Sequence, residues 1–99
     1  MSRWRVAQQI ITAVRKGDFI LKRHAEERLE QRRFSKVDVV EIAKTVIRWE
    51  WQEGKETYLF IGTDLDEKGA GFTATRTQDG TYVITVFRRR IKKWEKNKS

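Results

Sequence analysis

The chain has 99 residues, a formal net charge of +8 and a hydrophobic fraction of 38% that includes eleven aromatics. That size predicts one domain around one core. The absence of cysteine excludes disulfides, thiolate catalysis and cysteine-built zinc sites, and a single histidine argues against a His-rich metal site. No metal or cofactor is therefore expected.

No run of about 18 apolar residues is present to span a bilayer, and the N-terminal residues lack an apolar signal-peptide core. The expectation is a cytoplasmic protein with no membrane partner. Residues 88–99 hold seven basic side chains against Glu95, so six of the eight net positive charges sit there. Such clustering suits a polyanion or an acidic protein partner.

Taken in order, Arg3 to Lys16 reads as a helix, with Trp4, Ala7, Ile10 or Ile11, and Val14 recurring at three- and four-residue steps before Gly17-Asp18. Phe19-Ile20-Leu21 is a short apolar link. A second helix runs from about Lys22 to near Arg33. On it His24, Glu27, Arg28 and Gln31 stack on one side, beside an apolar stripe of Leu21, Ala25 and Leu29. Ser35 is placed to cap a third helix, with Asp38 as its capping-box partner, and Val37, Val40, Ile42 and Val46 are expected to face inward. The end of that helix overlaps Thr45-Val46-Ile47, β-branched residues that equally suit a strand.

From Val46 the period becomes two: Ile47, Trp49 and Trp51 alternate with Arg48, Glu50 and Gln52. Thr57 to Gly62 forms the next strand after a turn at Gly54. Thr63 to Gly69 reads as a polar loop, whose acids, Asp64, Asp66 and Glu67, lack the spacing of a calcium loop and read as a solvated rim. Gly71 to Gln78 and Thr81 to Arg88 then form a hairpin across Asp79-Gly80. The fold class is α+β: helices first, packed on an antiparallel sheet of about four strands. A two-residue turn at Asp79-Gly80 pairs Arg76 with Val83, Ala74 with Thr85 and Phe72 with Phe87. Arg76 and Thr85 are then diagonal neighbours on one face.

The run R-H-A-E-E-R-L-E-Q-R-R-F-S-K-V-D-V with a closing Y-V-I-T-V-F resembles a family of small bacterial and phage domains of unknown function. Their helix reads His-Ala-x-x-Arg-x-x-x-Arg, and their last strand ends in an Ile-Thr-hydrophobe motif. That family is similar in layout to the RelE-like and BrnT-like toxins, metal-independent ribonucleases of toxin–antitoxin pairs. The resemblance covers about Leu21 to Arg88 and falls on His24, Ala25, Arg28, Arg32 and Thr85. It implies a RelE/BrnT-like fold, cleavage of RNA free or on the ribosome, and an acidic antitoxin. Residues 18–88 then form the core, with residues 1–17 as a helical extension and 89–99 as a basic tail.

Cleavage of this kind needs a base for the 2′-hydroxyl, an acid for the leaving 5′-oxygen and cations for the phosphorane. His24 is the one side chain whose ordinary titration lies near neutrality, and Glu27, one turn on, can orient it. With Arg28, Arg76 and Thr85 it makes the candidate catalytic set. Arg28 and Arg32 suit phosphate binding and equally suit anchoring the helix to sheet carbonyls. Arg32, Arg88, Arg89, Arg90, Lys92 and Lys93 are the candidate RNA-binding residues, with Trp94 in the tail as a stacking or docking group. The alternative is a non-catalytic nucleic-acid- or partner-binding module that uses the tail. The edge strand near Val46 to Gln52 also offers a surface for a homodimer.

Overall fold

The computed structural model describes residues 2–91. Three helices, α1 (Arg3–Arg15), α2 (Arg23–Gln31) and α3 (Lys36–Lys44), accompany five strands. These are β1 (Ile20–Leu21), β2 (Arg48–Gln52), β3 (Thr57–Thr63), β4 (Gly69–Thr77) and β5 (Gly80–Arg88). They form one sheet in the order β1-β5-β4-β3-β2, with the helices on one face. The class is α+β, but the sheet has five strands and is mixed, because Ile20 and Leu21 pair in parallel with Tyr82 and Val83. Two residues are too few to show a period, so the expected apolar link is in fact an edge strand.

Local chemistry explains the helices. The Ser2 side chain accepts from the Arg5 amide at 3.2 Å to open α1, and its stripe of Ala7, Ile10, Ile11 and Val14 enters the core. The N-terminal helix is thus part of the core. Trp4, expected on that stripe, is 61% exposed. Ser35 and Asp38 form the expected capping box at α3. The inward residues there are Val39, Ile42 and Ala43, whereas Val37 is 58% exposed because it lies in the first turn, off the stripe.

The sheet's helix-side face is built from Tyr58, Phe60, Phe72, Ala74, Val83 and Val86, with Trp49 and Trp51 packed at its β2 end. Phe60 and Phe72 stack with ring centroids 5.0 Å apart, and the Trp51 and Tyr58 rings meet edge to face at 4.9 Å. Two ties seat the helices. Arg15 Nε donates to the Ala43 carbonyl at 2.9 Å. Thr45 Oγ1 accepts from the Thr63 amide at 2.8 Å, joining the end of α3 to β3.

That joint needs Gly62. A Cβ there would stand 2.6 Å from the Ile42 carbonyl oxygen and 2.8 Å from Thr45 Oγ1. Gly62→Ala must push α3 off the sheet, and overpacking of this kind costs about 1–3 kcal/mol. Urea unfolding should show a lower midpoint with an unchanged slope.

Candidate functional site

The β4–β5 hairpin decides what the free face of the sheet displays. The two-residue turn is Gln78-Asp79, and Gly80 already pairs with Thr77 as the first residue of β5. Its φ of +139° is one that glycine adopts readily. Arg76 therefore pairs with Thr81 and Ala74 with Val83, but the register then shifts so that Thr73 pairs with Thr85 and Phe72 with Val86. Ile84 is the extra residue, a β-bulge. The expected pairing of Ala74 with Thr85 is overturned, and so is the shared face for Arg76 and Thr85. Arg76 lies on the helix side, where Nη1 donates to Thr81 Oγ1 at 2.6 Å beside a small cleft of about 260 Å³ bordered by Lys16 and Asp18. Thr85 lies on the opposite face.

There it lines a concavity of about 730 Å³. The floor comes from Leu59 and Ile61 of β3, Thr73 of β4, and Ile84, Thr85 and Phe87 of β5. Gly71 makes room for the Phe87 ring, since a Cβ there would stand 2.7 Å from Phe87 Cζ. His24 from the start of α2 stands at the rim with two cations, Lys55 from the β2–β3 turn and Arg89 after β5, and Gln52 and Thr57 also line it. Among the described residues no carboxylate lines it.

His24 and Thr85 thus share one concavity, and Arg28 reaches it through His24: Arg28 Nε donates to His24 Nε2 at 3.3 Å. This bond needs a lone pair on Nε2 and so selects the neutral imidazole with its proton on Nδ1. Glu27, which could have oriented His24 or paired on the helix surface, takes the surface pairing with Arg23 at 3.4 Å. Arg32 Nη1 points at the Val86 carbonyl at 3.5 Å and holds α2 against β5. Arg88 Nη1 donates to Asp64 Oδ2 at 2.7 Å with its guanidinium over the Phe34 ring, 4.3 Å from the centroid. Its charge is paired with the buried Asp64 carboxylate while its own side chain stays partly in solvent. Arg90 is exposed, and Lys92, Lys93 and Trp94 lie outside the described residues.

Lys55, Gln52 and Thr73 are site residues that sequence reasoning did not single out. Thr73 had a signal, since alternation in β4 already set it opposite the apolar Phe72 and Ala74; Lys55 sits in a turn and had none. Asp64 is a correction. Far from a solvated rim, it is 2% exposed, and Oδ1 accepts from the amides of Asp66 and Lys68, both at 2.9 Å. An Asp in a polar turn can close an Asx-turn with the amide two residues on, as Asp64 does here. Among the described residues no group of three His, Asp or Glu side chains is arranged to hold a metal ion. Among the described residues no helix is long and apolar enough to cross a membrane. Compared with known protein families, curated proteins and solved structures, the chain matches none.

Burial alone would raise the Asp64 carboxyl, but the Arg88 hydrogen bond, the two backbone amides and the Arg88 charge outweigh it and hold it below its ordinary value. A depressed carboxyl stabilises the fold above its unfolded value, and that contribution fades as pH falls through the folded one. Wild-type stability should therefore drop from about pH 4 downward, more steeply than that of Asp64→Asn. At pH 7 the variant should be less stable by about 1–2 kcal/mol, as Arg88 keeps part of its hydration. Urea unfolding across pH 2–7 reads both.

Proposed function

We propose that this protein is a metal-independent endoribonuclease of the toxin type, similar in layout to the RelE-like and BrnT-like enzymes, and that RNA binds on the open face of the sheet. The observation that carries the reading is the rim: His24, Lys55 and Arg89 border a concavity in whose lining, among the described residues, there is no carboxylate. An anionic ligand meets only complementary or neutral groups there. The His-Ala-x-x-Arg resemblance supplies the reaction class, and the same rim also fits an acidic antitoxin.

In the free protein His24 Nε2 accepts from Arg28. An RNA 2′-hydroxyl displaces that guanidinium and gives its proton to Nε2 as the 2′-oxygen attacks phosphorus. The bond from phosphorus to the 5′-oxygen breaks, leaving a 2′,3′-cyclic phosphate, and the 5′-oxygen takes a proton from water at the open mouth. Arg28, released from the imidazole, turns to a non-bridging oxygen together with Lys55 and Arg89. Arg76, on the far side of the sheet, has no part in this step.

RNA incubated with the protein in EDTA should be cleaved to cyclic-phosphate ends. His24→Ala should slow cleavage by about 10²–10⁴-fold, the usual worth of a general acid–base group. No cleavage, or cleavage indifferent to His24, would sink this reading. The charge concentrated in residues 88–99 favours a second one, a binding module without catalysis. In that case RNA binding falls steeply with salt, is lost on deleting residues 92–99 and ignores His24.

A further inference from the structure

We propose that the floor of the open-face concavity is a nucleobase subsite, in which the hydroxyls of Thr73 and Thr85 read the polar edge of one unpaired base. The choice of a base as occupant rests on the RNA reading above. The subsite itself rests on the floor.

Thr73 and Thr85 are direct cross-strand partners at the bulge, which sets their Cβ atoms about 5 Å apart on one face. Thr73 is only 8% exposed, yet it lines the concavity, and no hydrogen bond of either hydroxyl is found among the described residues. Both hydroxyls therefore keep their hydrogen-bonding capacity for a ligand seated in the concavity. Each can donate once and accept twice. Side by side they match the adjacent donor and acceptor atoms on the edge of a base. Leu59, Ile61, Ile84 and Phe87 around them form an apolar bed for the flat ring. Lys55 and Arg89 stand at the rim, where the attached phosphate would lie.

This arrangement differs from a general anion site. A simple phosphate has no use for the apolar bed, and a duplex keeps its base edges paired and out of reach. Polar atoms placed inside an apolar pocket also penalise a ligand that cannot pair them. The two hydroxyls therefore select for a ring with hydrogen-bonding atoms on its edge.

The test is an NMR titration of methyl-labelled full-length protein with the four nucleoside 5′-monophosphates, and with ribose 5-phosphate as the base-free control. At least one nucleotide should shift the Thr73 and Thr85 methyl resonances saturably, while ribose 5-phosphate leaves them in place. Thr73→Val and Thr85→Val keep shape and β-propensity, and each should weaken that nucleotide about five- to tenfold, the worth of one hydrogen bond. Thr73→Ser, which restores the hydroxyl, should recover most of the loss. Nucleotide binding of this pattern without RNA cleavage supports the subsite while removing the nuclease reading. Cleavage that both Val variants leave unaltered, equal response to ribose 5-phosphate, or no methyl shift with any nucleotide overturns the subsite.

Discussion

The bulge at Ile84 assigns every later residue of β5 to its face. Val83 and Val86 are both fully buried in the core although they are three residues apart, which an uninterrupted strand forbids. Without the extra residue Thr85 would enter the core beneath the helices and Val86 would emerge on the open face. Burying that hydroxyl unpaired costs about 1–3 kcal/mol, and exposing the valine forfeits about 1.5–3 kcal/mol. Against this the bulge gives up roughly one ladder hydrogen bond, about 1 kcal/mol. The bulge wins, and with it both Ile84 and Thr85 face the concavity.

The same shift divides the basic residues after the strand. Arg88 falls on the helix side, where Asp64 and the Phe34 ring are ready for it, and Arg89 falls on the open side. One Asp64 oxygen takes the Arg88 hydrogen bond, which helps offset the cost of burying the carboxylate. Its other oxygen meanwhile folds the β3–β4 loop by taking the Asp66 and Lys68 amides. One arginine thus joins the end of β5, the loop and the α2–α3 junction, and its neighbour lines the rim. A cluster that reads as uniform charge in the sequence does two different jobs.

What was legible from the residues alone follows the length of each signal. Helix α1, the Ser35–Asp38 capping box of α3 and the alternation of β2 are long or chemically specific, and their positions agree with the structure to within a residue or two. The hairpin was visible, but its register was not. Asp79-Gly80 is a strong turn signal, yet the chain turns one residue earlier and uses Gly80 as a strand residue. The bulge then adds a second offset that only core packing can select. Those two shifts together moved Arg76 away from Thr85, so His24 and Thr85 share one concavity while Arg76 lies on the other face. Lys55 joins the rim through the fold of the sheet, which no local pattern encodes.

The position of His24 follows from the shortest element in the fold. β1 is two residues long, and Lys22 continues its ladder by donating its amide to the Val83 carbonyl at 2.9 Å before α2 begins at Arg23. The helix is therefore anchored to the sheet edge within two residues of His24. Ala25 and Leu29 fix its rotation by facing the core, and His24, one step or about 100° around, comes out at the border between the covered and open faces. A longer β1 would carry the imidazole past the concavity, and a flexible link would not hold it at the rim. A histidine on a helix is ordinary on its own. What sets this one apart is the edge strand before it, which ties the imidazole to the same β5 that carries Thr85.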